Sequence, residues 1–279
     1  MLAKTLVGLL PKLSHQEMLE ATQLYSLAGH KYDQLITQRP FRAPHHTSSI
    51  TSIIGGGSAA LPGELSLSHA GVFFMDEMPE FNRTVLEALR QPLEDRSVTI
   101  ARAKQTIQYP ANFILVATAN PCPCGYYGSP HPCSCSAAEL ARYQKRLSGP
   151  ILDRIDLFVT VGVTDHSQLL RHKNSPSEDM AVQQRIILAR EKQKKRFRSS
   201  ETLNTNMDNQ QIRTLGYLSD GAAQILNGAG AKLHLSPRSY MRTIKVARTI
   251  ADIENSEFIL DSHVSESLQY RHAHSEGLL

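Results

Sequence analysis

The sequence predicts an α/β fold, a parallel sheet followed by a separate helical domain. Three observations carry that expectation. Two short apolar runs, Val72-Phe73-Phe74-Met75 and Phe113-Ile114-Leu115-Val116, are each closed by polar residues, as strands buried in a parallel sheet are. Apolar residues at helical spacing occupy stretches beside them. After about residue 165 helical patterns follow one another with no strand between them, which places a helical domain at 165–279 behind a sheet-bearing domain at 1–164.

The elements follow in order. Leu2, Leu6, Leu9 and Leu10 precede Pro11 at helical spacing, so the chain opens on a helix. Residues 39–63 read as loop, dense in Pro, His and Gly. Val72–Met75 is a buried strand ending in Asp76-Glu77. Val85, Leu86, Leu89 and Leu93 mark the next helix. Val98, Ile100 and Ile107 flank a polar tip, Arg102-Ala103-Lys104-Gln105, which predicts a hairpin. The strand at 113–116 runs out at Thr118-Ala119-Asn120. A helix is expected near 137–147, and a third strand at Leu157-Phe158-Val159, just after Arg154. Helices near 178–198, 219–229, 236–254 and 261–270 complete the chain.

Composition bounds the function. With 279 residues and 41% hydrophobic content, the chain can build a sizeable core, which excludes wholesale disorder. A net charge of +4 is too mild to establish nucleic-acid binding by itself. No window approaches 18 uninterrupted apolar residues, so no membrane-spanning helix is expected. The four cysteines all fall between residues 122 and 135. A secreted scaffold would spread them, so a cytosolic metal cluster or reduced thiols are expected, and the protein is placed in the cytoplasm.

The strand ends carry the chemistry. Open α/β sheets bind ligands at the carboxyl ends of their strands, where Asp76 and Glu77 sit. There an Asp can hold Mg2+ through its water shell while a Glu orients or deprotonates an attacking water. Two solvated acids in a turn are the plainer alternative. Asn120 ends the neighbouring strand, where an amide can hydrogen-bond both a phosphate oxygen and a lytic water. Its plainer reading is a turn residue before Pro121.

At this level of detail the chain resembles a family. Gly71-Val72-Phe73-Phe74-Met75-Asp76-Glu77-Met78-Pro79-Glu80-Phe81 resembles the Walker B strand of the magnesium-chelatase-like AAA+ ATPases, the ComM/YifB group. Arg39-Pro40-Phe41-Arg42-Ala43-Pro44-His45-His46-Thr47 is similar to the same group, as are the strings at 119–125, 147–156 and 236–242. The resemblance implies an AAA+ P-loop NTPase-type core with a carboxy-terminal helical lid. It also implies ATP and Mg2+ as cofactors, a homo-hexameric ring, and DNA as partner in branch migration during natural transformation. By position it makes Asp76 and Glu77 the Walker B pair, Asp76 on Mg2+, and Asn120 sensor 1. Arg154 becomes an arginine finger offered to a neighbouring subunit, and Arg238 becomes sensor 2, with Arg242 as the alternative. A structural pair with Asp153 or Asp156 is the bland reading of Arg154, and helix solvation that of Arg238.

One departure from the family stands out. The phosphate-cradling loop is Gly-x-x-x-x-Gly-Lys-Ser/Thr, and this chain contains no Gly-Lys pair. In the family that loop lies just before the helix on which this chain opens. Met1 is therefore expected to be an internal methionine of a longer protein, with the first strand, the Walker A loop and a Lon-like domain upstream. Residues 1–279 alone are expected to show no ATPase and to expose a sheet edge that invites aggregation.

Three further groups complete the candidates. Cys122-x-Cys124 and Cys133-x-Cys135 offer four thiolates for a tetrahedral zinc site, with His131 as a substitute ligand and reduced thiols as the alternative. Arg102 and Lys104, at the hairpin tip, resemble a DNA-contacting pore loop. Seven Lys/Arg between 185 and 198 face one acid, Glu191, and read more readily as a solvated helix face than as a DNA site. Residues 39–47 with Gly55-Gly56-Gly57 form a candidate mobile loop, in which His45 and His46 are expected to diverge. The rival readings are an ATPase subunit of a chelatase-like complex with a non-DNA partner, and a truncated remnant without catalysis.

Overall fold

The computed structural model describes residues 2–31, 33–102, 105–146, 149–162 and 176–271. It divides into two units, residues 1–154 and 155–278.

The first unit opens with α1 (Leu2–Leu9) and α2 (His15–Leu27). Ser14 caps α2: its hydroxyl accepts the Glu17 N–H at 3.2 Å, and Glu17 Oε2 accepts the Ser14 N–H at 2.8 Å. That reciprocal pair satisfies two amide donors left over by the helix start. The chain then enters β1 (Phe41–Arg42), α3 (Ile50–Ile54), β2 (Gly55–Gly56), β3 (Leu61–Pro62) and α4 (Glu64–Leu67). Next come β4 (Val72–Met75), α5 (Arg83–Ala88) and α6 (Arg90–Asp95). The unit continues with β5 (Ser97–Arg102), β6 (Gln105–Pro110), β7 (Ile114–Ala117), α7 (Ala137–Arg146) and α8 (Gly149–Leu152).

The sheet that matters has the order β1-β4-β7, all parallel. Val72 to Met75 pair in register with Ile114 to Ala117, so the residues after β4 and β7 emerge side by side. Val72, Phe73 and Met75 are fully buried, as their uninterrupted apolar character predicts. Gly71 precedes β4 because a side chain there would collide with the Pro40 carbonyl as β1 passes. Among the described residues nothing pairs with the outer edge of β7, and Ile114 is 43% exposed despite its apolar strand.

Several expectations are corrected. Residues 39–47 are not simply a mobile loop, because Phe41–Arg42 forms β1 and two arginines clamp the segment. Arg39 pairs with Glu17 at 3.3 Å and donates to the Ala70 carbonyl, while Arg42 forks onto Glu64 at 2.5 and 2.6 Å. The single helix expected over Val85–Leu93 is two, broken at Leu89. Pro92 has no N–H to give the Ala88 carbonyl, so the first helix cannot run on unbroken. The third strand is absent as a ladder at 157–159: Phe158 donates its N–H to the Tyr270 carbonyl at 2.8 Å, and Leu157 and Val159 are exposed.

The second unit is helical. It contains α9 (Pro176–Phe197), α10 (Asn209–Leu215), α11 (Asp220–Lys232), α12 (Pro237–Ile253) and α13 (Asp261–Gln269). Met207, Ile212, Leu226, Ile244, Ala247, Ile259 and Val264 form its core. Ser236 caps α12 by accepting the Ser239 N–H at 3.1 Å, and Pro237 at the first helical position costs no hydrogen bond.

The basic run on α9 is also less solvated than expected. Arg196 turns inward and forks onto the buried Asp252 at 2.5 and 2.8 Å. Asp252 also pairs with the wholly buried Arg248 at 3.1 Å, which donates to the carbonyls of Ser256 and Glu257. Burial lowers the Arg248 pKa, and the Asp252 carboxylate opposes the shift. The remaining lysines in the last turn, Lys194 and Lys195, lie favourably at the negative end of the helix dipole. No described helix is long and apolar enough to cross a membrane.

Candidate functional site

Asp76 and Glu77 leave the carboxyl end of β4, and both are exposed. Because β4 and β7 are parallel and in register at Met75 and Ala117, Thr118 emerges beside them. Its hydroxyl donates to Asp76 Oδ1 at 2.7 Å and accepts the Glu77 N–H at 2.9 Å. Its carbonyl accepts the Met78 N–H at 2.8 Å. One threonine therefore orients the first carboxylate and anchors the backbone of the second. Glu77 sits in the left-handed region at φ 53°, ψ 52°, a conformation costing a side-chain-bearing residue roughly 1–3 kcal/mol. The Thr118 and Met78 hydrogen bonds hold it there. Thr118 is not among the residues the sequence singles out, because only the pairing of β7 with β4 sets it beside Asp76.

Asn120 lies two residues further on and is exposed. Its carbonyl accepts the hydroxyl of Tyr143, on α7, at 3.1 Å. Burial, then the nearby Glu80 charge, raises the Tyr143 pKa, so this hydroxyl keeps its proton.

Arg154 is placed differently from a free side chain. Its guanidinium pairs with Glu94 at 2.9 Å and donates to the Arg90 carbonyl at 3.2 Å and to the Pro150 carbonyl. Burial, then the Arg90 charge, lowers its pKa, yet a guanidinium remains charged throughout the physiological range. In the second unit Arg238 is exposed at the second position of α12, and Arg242 pairs with Asp156 at 2.6 Å. Arg102 closes β5, and Lys104 lies outside the described residues. His45 and His46 lie in a segment without regular structure, with ring centroids 4.1 Å apart.

The four cysteines converge. Every Sγ of Cys122, Cys124, Cys133 and Cys135 lies within 4.8 Å of the others, and all four thiols are free. His131 packs its ring against Tyr126 at 5.5 Å and is not one of the clustered ligands. Within the cluster the Tyr126 N–H, followed by desolvation and Cys122, sets the Cys124 thiol, whose pKa falls to about 5. The Cys124 N–H pulls Cys135 downward, but desolvation and the neighbouring thiols prevail and push it to about 12.

Comparison with known proteins gives this geometry a family. The family described as magnesium chelatase, subunit ChlI, matches residues 1–169, and its C-terminal counterpart matches residues 176–271. The chain belongs to the magnesium chelatase subunit ChlI family. The parallel sheet and the helical second unit are consistent with an α/β AAA+-like fold carrying a C-terminal helical domain. It is 42% identical over 272 residues to the uncharacterized protein YifB of Escherichia coli K12, and 41% identical over 272 residues to the competence protein ComM of Haemophilus influenzae. Each match covers 97% of this ChlI-family chain and 53% of the relative, so the chain spans about half the length of the curated relatives it matches.

Proposed function

We propose that this ChlI-family chain is part of an ATP-driven AAA+ motor that acts on DNA in the cytoplasm. The observation that carries the reading is the Asp76–Thr118–Glu77 network at the carboxyl ends of adjacent parallel strands. Mg·ATP, when bound, supplies the phosphoryl group and partly neutralised phosphate charge. Asp76 holds the Mg2+ water shell, with Thr118 fixing its carboxylate. Glu77, pinned by its backbone, orients the attacking water and takes its proton. Asn120 adds an amide toward the phosphate. Arg238, with Arg242 as the alternative, is the candidate sensor 2 arginine of the helical unit. Arg154 serves a neighbouring subunit's ATP in a homo-hexameric ring, for which it must release Glu94.

The phosphate cradle is not among residues 1–279, which hold no Gly-Lys pair. We place it in a further segment of the protein, in keeping with relatives about twice as long. A role in competence is proposed from the name of the Haemophilus influenzae relative, the competence protein ComM, and DNA branch migration from the family resemblance of the sequence motifs. The rival, a chelatase-type subunit with a non-DNA partner, draws on the family description. Arg102, which closes β5, and Lys104, two residues on in the sequence, favour DNA, since cations repeated around a ring would track a phosphate backbone.

Replacing Arg102 and Lys104 together with Ala is expected to weaken DNA binding and flatten its salt dependence, because fewer counterions are released. Fluorescence anisotropy across a salt series measures this. An unchanged salt slope would remove the hairpin from the DNA path and turn attention to the chelatase-type reading.

A further inference from the structure

We propose that Cys122, Cys124, Cys133 and Cys135 form a tetrathiolate zinc site that staples the segment between β7 and α7. The separations are those of one shared ion. Cys122 and Cys124 sulfurs lie 3.3 Å apart, Cys122 and Cys133 3.8 Å, and Cys124 and Cys133 3.5 Å. Four sulfurs at about 2.3 Å from a tetrahedral Zn2+ stand about 3.8 Å from one another. The distances are far too long for disulfides, and a multi-iron cluster needs its thiolates further apart.

The segment needs such a staple. Residues 121–136 contain no helix or strand, and Tyr126 and Tyr127 are exposed. Of the cysteines only Cys122 is buried, so apolar burial contributes little to holding the turn. Structureless stretches of this length are uncommon in compact domains unless something ties them down. Gly125 at φ 83° and Gly128 at φ 75° reverse the chain and carry the second Cys-x-Cys pair back to the first. The Tyr127 N–H points at Cys122 Sγ at 3.3 Å, the kind of outer hydrogen bond that stabilises a metal-bound thiolate. Soft sulfur donors in a tetrahedral set select zinc over magnesium.

The staple has a target. Pro121 joins Cys122 directly to Asn120, and Ser136, right after Cys135, caps α7 by accepting the Glu139 N–H at 3.3 Å. The Tyr143–Asn120 hydrogen bond then spans the two ends that the ion would tie. Zinc would thus make the cysteines positioning residues for Asn120, a consequence that rests on the phosphate-facing role proposed for Asn120.

Metal analysis of the purified full chain, with limited proteolysis and a Co2+ spectrum, tests the site. The expected result is about one zinc per chain, and on Co2+ exchange the intense sulfur-to-metal bands of a tetrathiolate site. Cys133→Ser/Cys135→Ser should lose the metal. Cys135→His should keep it, with weaker charge-transfer bands as one thiolate leaves. Chelation should open residues 121–136 to protease. Absence of zinc with all four thiols alkylated in the native protein would overturn the site, as would an iron–sulfur chromophore. Equal cleavage with and without metal would overturn the staple. None of these readouts uses ATP, so these failures are distinct from failure of the nucleotide assignment.

Discussion

Arg154→Ala is expected to lower ATP turnover by roughly 10³-fold in the assembled protein, with little change in nucleotide affinity. The guanidinium is wanted where charge builds on the transferring phosphoryl group, so its loss falls on the rate rather than on binding. The structure gives the experiment a specific hazard, because Arg154 also braces its own unit through Glu94 and the Arg90 carbonyl. A merely structural role predicts a lowered melting temperature and no recovery in mixtures. A role in trans predicts that mixing Arg154→Ala with Glu77→Gln subunits restores part of the activity, since some interfaces regain both groups. Turnover measured across mixing ratios separates the two, and no recovery at any ratio would deny Arg154 its neighbour.

Glu77→Gln is expected to cut turnover by roughly 10²-fold or more while ATP still binds. The amide preserves shape but cannot take the proton of the water. The backbone bonds from Glu77 and Met78 to Thr118 involve no carboxylate, so the left-handed turn should survive the substitution. Asp76→Asn is expected to differ in kind and to weaken Mg2+-dependent nucleotide binding itself, because it removes the charge proposed to face the ion. Nucleotide titrations with and without Mg2+ distinguish the pair. Equal effects on binding from both variants would mean that the two carboxylates do not divide the work.

How far the sequence reached depended on whether a feature was local. β4 and β7 were legible as unbroken apolar runs, and the hairpin from its flanking Val98, Ile100 and Ile107. The cysteine spacing allowed a four-thiolate cluster but left unligated thiols open, and the fold is what brings the four sulfurs together. β1 was not legible, since two residues amid Pro40, Pro44 and two histidines carry no periodicity, and only pairing with β4 makes Phe41–Arg42 a strand. α2 escaped notice because its sequence has only a faint apolar face, and capping by Ser14 and Glu17 does much of the specifying. The expected strand at 157–159 shows the opposite error, an apolar triplet whose Phe158 N–H turns to Tyr270.

The site divides the same way. Asp76 and Glu77 advertise themselves by following an apolar run, whereas Thr118 matters only through register with a distant strand. Arg154 was read against Asp153 and Asp156, its neighbours in sequence. The fold adds Glu94 at 2.9 Å, a partner distant in sequence, while the Asp153 charge also acts on the guanidinium. Arg196 likewise looked like part of a solvated basic face until Asp252 drew it inward. Long-range ion pairs have no spacing to read.

These strand ends are expected to hydrolyse Mg·ATP once joined by a phosphate cradle, Gly-x-x-x-x-Gly-Lys-Ser/Thr, that residues 1–279 do not contain. Steady-state ATP hydrolysis by residues 1–279, set beside that of the longest reading frame containing them, tests it most directly. Without converging backbone N–H groups and a lysine to offset the phosphate charge, residues 1–279 are expected to stay at background. A frame that supplies Gly-x-x-x-x-Gly-Lys-Ser/Thr is expected to turn over ATP with Mg2+, and faster with branched DNA. Hydrolysis by residues 1–279 alone, or none by an assembled protein carrying that loop, would contradict the account.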